Sequence, residues 1–222
     1  MCWGFLAHLF IFMKRMRSLY KTFILVIAIA GTYIQADSKS LKDLWLTIPE
    51  NIVPYLDDKM RTECVDLYYM HANGETTNRL KGKSKVDTLT TSFMQIVLNN
   101  ACTMQIKTLP TANTDSIICV VKTYNIPQKE SSVNFYDQEW KKLYTMKFDE
   151  NQFVSKPDTM SRERFEELKS KIDPVFVHAT LNANTNDLNV QISTIDFEED
   201  AYKVLSPILL KRKFNWNGKS FK

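Results

Sequence analysis

Three neighbouring segments of the chain are rich in β-branched and aromatic residues, and only short runs of turn-forming residues separate them. The segments span residues 89–98, 102–109 and 117–124. In the second, apolar residues alternate with polar ones, which is typical of a strand with one buried face, whereas residues 117–121 are apolar on both faces and belong at the centre of a sheet. The spacing predicts an antiparallel meander as the core of the fold.

Further strands are expected towards the C-terminus. A fourth strand covers residues 132–136, and apolar residues alternate with polar ones again in residues 175–181 and 188–192. Asn217-Gly218 is a strong signal for a β-hairpin, so it should join two final strands, residues 208–216 and 219–222.

Helices are predicted at three places. Thr47-Ile-Pro-Glu50 has the form of a capping box with proline in the first turn, and Pro54 ends that helix. Asp57 and Asp58 open a second helix, and residues 161–172 form a third. The predicted fold class is α+β: mainly antiparallel β-sheet meanders with two or three short helices packed on them.

The first 36 residues have the order of a secretory signal peptide. Basic residues between Lys14 and Lys21 precede an apolar core, residues 23–34, and Ala36 supplies a small residue at the cut. This core is shorter than the roughly twenty residues of a membrane-spanning helix, so we expect a cleavable signal rather than an anchor. Because an apolar stretch precedes the basic run, one interpretation is a start at Met13 or Met16, and the other is a long leader.

Residues 37–222 are expected to form a single secreted α+β domain. Both strand blocks close with an aromatic cluster, which raises the possibility of two similar halves, 37–150 and 157–222, although their residues match poorly. Of the 29 basic residues, four lie in the leader, where no acidic residue does, which leaves 25 basic against 25 acidic residues. This balance argues against a nucleic-acid binder, which concentrates Lys and Arg on one face.

The sequence offers no recognisable chemistry after the leader. It contains two histidines, His71 and His178, but no HExxH, CxxC or paired-histidine motif for a metal, no GxSxG or SxxK motif for a nucleophile, and no glycine-rich loop for a phosphate. We therefore predict no catalytic, cofactor-binding or metal-binding residue, and we interpret both histidines as structural.

Three cysteines follow the leader. Cys64 falls on the apolar face of a predicted helix and should be a buried free thiol. A disulfide between Cys102 and Cys119 is conceivable in an oxidising compartment, but pairing around the loop 110–115 would place Cys102 nearer to Thr123.

Acidic and aromatic clusters are each open to two interpretations. Asp57-Asp58 is explained by a helix N-terminus. The second acidic cluster lacks the glycine of a calcium-binding loop, so a solvated loop is favoured; it consists of Asp196, Glu198, Glu199 and Asp200. Trp45, Trp140 and Trp216 would be a stacking surface for sugars or peptides if exposed together, but caps on the ends of the β-core are favoured.

Several longer motifs resemble a known family. They are TIPENIVPYL (47–56), RLKGKS (79–84) leading into Leu89-Thr90, DSIICVVKTYNIP (115–127), and the run from Ser131 through Phe135-Tyr136-Asp137 to Trp140. Together they resemble an uncharacterised family of secreted proteins from Bacteroidales, a domain of unknown function. The resemblance covers nearly all of the chain after the leader, and implies a Gram-negative periplasmic or envelope setting. It brings no catalytic residue, ligand or activity.

The expected function is that of an uncharacterised exported protein, periplasmic or secreted. We expect a non-catalytic envelope module that binds an unknown envelope protein or polymer, with no cofactor, no nucleic acid, and membrane contact only through the transient signal peptide. Two alternatives remain. One is a periplasmic hydrolase whose site assembles only in three dimensions and joins His178 or His71 to a carboxylate in a deep pocket; the other is a small-ligand carrier.

Overall fold

Seven antiparallel strands form the centre of the structure, a computed structural model that describes residues 39–72, 74–112, 115–125, 128–193 and 199–222. Each strand lies beside the next along the chain. The strands are β1 (Thr76–Thr77), β2 (Lys83–Leu89), β3 (Phe93–Asn99), β4 (Cys102–Pro110), β5 (Ser116–Tyr124), β6 (Glu130–Tyr136) and β7 (Lys142–Met146). The predicted antiparallel meander is confirmed.

A second sheet of three antiparallel strands has the order β10-β9-β8. Its strands are β8 (Val177–Leu181), β9 (Asp187–Ile192) and β10 (Arg212–Asn215). The helices are α1 (Leu41–Leu46), α2 (Asp58–Tyr69), α3 (Arg162–Ser170) and α4 (Glu199–Leu205), with 3₁₀ turns at Glu150–Phe153 and Ser206–Ile208. The chain therefore has the α+β fold that the sequence predicted.

Both faces of the large sheet are covered, because successive side chains along a strand point to opposite faces. One face packs against α1, α2 and the loop between them; its fully buried members include Leu44, Trp45, Leu56, Val65, Met94, Ile96, Leu98, Met104 and Ile106. The other face packs against the second sheet and the segments around it; buried here are Leu109, Cys119, Val121, Val133, Phe135, Phe153, Leu188, Val190 and Ile208. The second sheet thus has one face on the core and one face towards solvent.

The predicted position of the N-terminal helix was wrong. Helix α1 ends at the position where the predicted capping box begins, and Thr47 is its C-terminal cap. Ser40 is the true N-cap, since its side chain accepts a hydrogen bond from the amide of Asp43 at 3.1 Å. Pro49 and Pro54 restrict the chain that follows to turns. The predicted second and third helices are confirmed, with Asp57 and Ser161 as their N-caps.

Strand bounds also differ from the predicted ones at two places in the chain. The predicted strand 89–98 begins later, as β3 at Phe93, because the Thr90 side chain accepts the amide hydrogen of Phe93 at 2.9 Å and closes a turn between β2 and β3. The predicted strand 208–216 is shorter, because Ile208 lies in a 3₁₀ turn, and the predicted strand 219–222 is reduced to an isolated bridge between Trp216 and Phe221. The turn at Asn217-Gly218 is confirmed: the amide and carbonyl of Asn215 both hydrogen-bond Lys222, and Gly218 has a left-handed φ of 89°.

The second strand block contains three strands rather than four, and β1, β2, β7 and α4 were not predicted. The expected leader, residues 1–36, with both candidate starts, lies outside the described residues. The domain boundaries and the two similar halves stay predictions. Among the helices of the described part, none combines the length and apolar character needed to cross a bilayer.

Candidate anion-binding groove

The outer face of the second sheet carries two rows of polar side chains. Thr180 pairs with Asn189, which pairs with Lys213 on the other side; His178 pairs with Gln191 in the next row. Alternation along the strands sends these five side chains outward, because their neighbours in β8 and β9 are buried in the core. The local sequence therefore builds a polar surface on a rigid, apolar base.

Strand β8, at one edge of this surface, is fixed to the large sheet. The Ser131 hydroxyl accepts the amide hydrogen of Ala179 at 3.0 Å, and the Gln105 side-chain oxygen accepts that of Leu181 at 2.8 Å. Side chains of the large sheet thus satisfy edge amides that would otherwise be open to another strand. These two hydrogen bonds also fix the position of the outward-facing side chains of β8.

Basic residues of the other edge strand complete a concave surface, which we call the basic groove. Its volume is about 400 Å³, and it is lined by His178, Thr180, Asn189, Val190, Gln191, Lys211, Arg212 and Lys213. The Arg212 Nε atom donates to the carbonyl oxygen of Gln152 at 2.9 Å, which holds that side chain in place. The lining includes three cations and no carboxylate.

One carboxylate stands next to the basic groove. The Lys213 ammonium lies 2.8 Å from a carboxylate oxygen of Asp187. Hydrogen bonds from Lys213 and Thr185 hold the pKa of Asp187 below its ordinary value, so it is ionised at neutral pH. Lys213 is therefore partly neutralised, whereas Lys211 is the exposed cation best placed to meet a ligand.

His178 is half-buried in the groove floor. Burial is the main cause that lowers the pKa of His178, and the positive charge of Lys129 lowers it further. The imidazole is consequently neutral at pH 7, and offers one hydrogen-bond donor and one acceptor. Its neighbours are cations and amides rather than a carboxylate, so it lacks the orienting partner of a general base.

The chemistry of this surface suits binding an anion. Ammonium and guanidinium groups attract a carboxylate or phosphate, and the hydroxyl and amide groups beside them can hydrogen-bond neutral parts of the same ligand. In the described part of the chain, no three His, Cys, Asp or Glu side chains come together to hold a metal ion.

The other predicted histidine lies elsewhere. His71 follows α2 with a left-handed φ of 51° and lines a cavity of about 250 Å³ with Cys64 and Asp87. Burial raises the pKa of the Cys64 thiol, which remains protonated and hence a poor nucleophile. The histidines do not share a site, because each lines a different cavity.

The acidic clusters have structural roles where the structure describes them. Asp57 caps α2, and Asp58 pairs with Arg61 on the same helix. Glu199 and Asp200 lie in the first turn of α4 and both approach Lys203, at 2.8 and 3.7 Å. The solvated loop predicted here is therefore partly helical. Asp196 and Glu198 lie outside the described residues.

The tryptophans belong to the core and its edges. Trp45 and Trp140 are buried, and their indole nitrogens donate to the carbonyl oxygens of Arg61 and Leu44, both at 3.1 Å. Trp216 donates to the Pro110 carbonyl oxygen at 2.6 Å. The favoured interpretation as core caps is thus confirmed, and the tryptophans do not form an exposed stacking surface.

The three cysteines are free and buried. Strand register pairs Cys102 with Tyr124 and Cys119 with Lys107, so the conceivable disulfide between them does not form. The prediction that Cys102 lies near Thr123 was one position from the observed partner.

The basic groove was not predicted from the sequence. The polar residues of β8 and β9 were visible as the outward half of an alternating pattern, and Lys211-Arg212-Lys213 is a basic run. The groove becomes visible only when the polar residues of β8 and β9 are combined with this basic run. That combination requires the register of β9 with β10, which the sequence does not give.

The fold and the groove define an α+β protein with a two-sided central sheet and a basic surface on a smaller second sheet. The chain belongs to a family of proteins of unknown function, DUF3256, whose family model matches residues 33–221. No curated protein was found to match the chain.

A solved structure has a similar fold. It is described as the structure of a domain of an uncharacterized protein from Porphyromonas gingivalis W83, with 20% sequence identity and a TM-score of 0.67. The similarity covers 82% of this chain and 98% of that one. These comparisons confirm the resemblance at the level of an uncharacterised family, with a similar fold in a protein from Porphyromonas gingivalis; export remains an expectation.

Proposed function

We propose that this protein is a non-catalytic binding module of the cell envelope, and that its basic groove binds an anionic polymer. The observation that carries the proposal is the row arrangement on the second sheet, where the Thr180 hydroxyl and the Asn189 amide lie in register with Lys213, beside Lys211 and Arg212. A polymer with repeated carboxylate or phosphate groups would meet both kinds of partner along one surface. The periplasmic or secreted location is part of the proposal and rests on the signal-peptide pattern.

The geometry favours a polymer over a small molecule. The groove is partly open to solvent, whereas small-ligand sites enclose most of the ligand surface. The cations stand at one edge, on and beside β10, so they would follow one side of an extended ligand. The long side chain of Lys211, which is exposed, can adjust to the spacing of charges on such a chain.

The test uses the chain without its expected leader, and a carboxylated polysaccharide as probe. Retention on immobilised polygalacturonate should weaken as salt is added, and neutral dextran should not retain the protein. Lys211→Glu should weaken binding by about tenfold, because it places a negative charge at the groove edge.

Lys219→Glu is the matched control. It makes the same change of charge at an exposed position on the C-terminal turn, outside the groove. Equal weakening by both variants would show that net charge alone governs retention. Equal retention on dextran would also contradict the proposal.

The hydrolase alternative has the cavity of His71 and Asp87 to support it. Release of soluble sugars from envelope polysaccharide by the purified protein, lost in His71→Ala, would replace the binding proposal with that alternative.

The carrier alternative predicts a molecule retained by the folded protein in native mass spectrometry.

A further inference from the structure

A second surface, unrelated to the basic groove, is the turn between β1 and β2. Leu80 at the tip of this turn has 67% of its surface exposed, although it is a large apolar side chain. Residues 79–85 include one arginine and three lysines, and no acidic residue. The turn thus combines one protruding apolar side chain with a run of basic residues in its own sequence.

The turn is held rigidly by Asn78, which is only 3% exposed. The side-chain nitrogen of Asn78, Nδ2, donates to the Leu98 carbonyl oxygen at 2.9 Å and to the Ser84 hydroxyl at 3.1 Å. Its side-chain oxygen accepts the amide hydrogens of Leu80 at 3.0 Å and Gly82 at 2.9 Å. The exposure of Leu80 is therefore fixed by a buried network, not by a loose loop.

The base of the turn is anchored as well. The Arg79 amide donates to the Tyr55 carbonyl oxygen at 2.9 Å, and its guanidinium forms a two-bond pair with Glu50 at 2.9 and 3.1 Å. At the tip, Lys81 adopts a left-handed φ of 61°, a conformation that is uncommon for a non-glycine residue and is sustained here by the surrounding bonds.

The charges of this surface are unequally paired. Glu50 pairs with Arg79, Asp57 and Asp58 are close enough to Arg79 to attract its charge, and Asp87 lies 3.4 Å from Lys85. Lys83 donates to the Thr77 hydroxyl, and Lys81 stands at the tip beside Leu80. Lys81 and Lys83 are thus the cations left to meet an external anion.

We propose that the turn from Asn78 to Gly82 docks this protein on an anionic lipid surface. Leu80 enters the boundary between headgroups and acyl chains, while Lys81 and Lys83 stay at the lipid phosphates. A lipid surface suits a single convex apolar side chain, because it deforms around the side chain and needs no matching pocket. This contact goes beyond the proposed polymer binding, and beyond the expectation that membrane contact is limited to the signal peptide.

The experiment is co-sedimentation of the chain without its expected leader with vesicles. Phosphatidylcholine vesicles containing about a third phosphatidylglycerol should bind the protein, and pure phosphatidylcholine vesicles should bind it much less. Leu80→Ser and Lys81→Glu should each lower the partition coefficient by about tenfold. Leu80→Ser keeps the backbone amide that bonds Asn78, so its thermal midpoint should match that of the wild type.

Val204→Ser is the control, since Val204 is also an exposed apolar residue, but lies on α4 with acidic residues in its first turn. Absence of binding to anionic vesicles, equal binding to both vesicle types, or equal losses in Leu80→Ser and Val204→Ser would overturn the docking proposal. A loss caused by Lys211→Glu but not by Lys81→Glu would assign lipid attraction to the basic groove instead. Polygalacturonate retention unaffected by Leu80→Ser keeps the two proposals separate.

Discussion

The two layers that cover the large sheet are each fastened by a buried cation that donates to backbone carbonyls. On the helical side, Arg61 of α2 donates to the carbonyl oxygens of Leu56 at 2.9 Å and Leu46 at 3.3 Å. On the other side, Lys107 of β4 donates to those of Asn182 at 2.9 Å and Ala183 at 3.1 Å. Arg61 thus joins α2 to the last residue of α1 and to the loop that follows it, whereas Lys107 joins the large sheet to the loop between β8 and β9.

The two cations differ in their compensation. Arg61 also pairs with the carboxylate of Asp58. Lys107 has two carbonyls and the ring of Phe93, whose centre is 5.7 Å from its ammonium. Burial lowers the pKa of Lys107, an effect that Asp187 partly offsets. Arg61 therefore has a carboxylate partner in the helical layer, whereas Lys107, on the side of the second sheet, is a titratable clamp whose charge is disfavoured by burial.

Replacing Arg61 should have the largest effect on the free energy of unfolding. Arg61→Met leaves two carbonyl groups without their donor, and each buried unpaired group costs about 1–3 kcal/mol. We expect the free energy of unfolding in urea to fall by about 3 kcal/mol. Arg164→Met is the control, because Arg164 forms an exposed pair with Glu167 three residues away. A similar fall in both variants would show that burial of the cation is not what matters.

Lys107→Met should be less costly and should depend on pH. The lost hydrogen bonds cost about 1–2 kcal/mol, but the variant also removes a charge that was expensive to bury. Because the folded-state pKa is lowered from 10.5, the unfolded chain binds more protons between the two pKa values, and wild-type stability gains as pH rises through that window. The difference between wild type and variant should widen towards alkaline pH. A constant difference would contradict a titratable clamp.

Lys122→Met probes a third, weaker clamp. The Lys122 ammonium donates to the Ile52 carbonyl oxygen at 2.7 Å, in the loop that Arg61 also holds. With one hydrogen bond lost, we expect a fall of about 1 kcal/mol in the free energy of unfolding. Since both residues fasten the same loop, the double variant with Arg61→Met should lose less than the sum of the single effects. Full additivity would mean that the loop is not a shared unit.

The strands of the large sheet were predictable because alternation is a local property of the sequence. The clamps were not. Lys107 occupies a polar position in an alternating strand, which predicts solvent, but the second sheet covers that face and the side chain is 1% exposed. Which face of a strand is covered is decided by segments far along the chain.

The candidate site was out of reach for a related reason. His178, Gln191 and Lys211 belong to separate segments, and only strand register brings them to one surface. The resemblance of residues 47–56 to a family was informative in a different way, since this segment is the loop that Arg61 and Lys122 hold. Its role in the structure is to place a layer on the sheet, which agrees with the absence of chemistry in its sequence.

Arg79→Gln should have the smallest effect of these changes, and it sharpens the comparison most directly. Its guanidinium makes two short hydrogen bonds to Glu50, a better pairing than Arg61 has with any one partner, yet both side chains are exposed. If burial rather than bond geometry gives a clamp its strength, the urea midpoint of this variant should stay close to that of the wild type. The backbone amide that fixes the turn to Tyr55 is retained, so lipid binding through Leu80 should also persist. A midpoint lowered as far as in Arg61→Met would show that geometry outweighs burial.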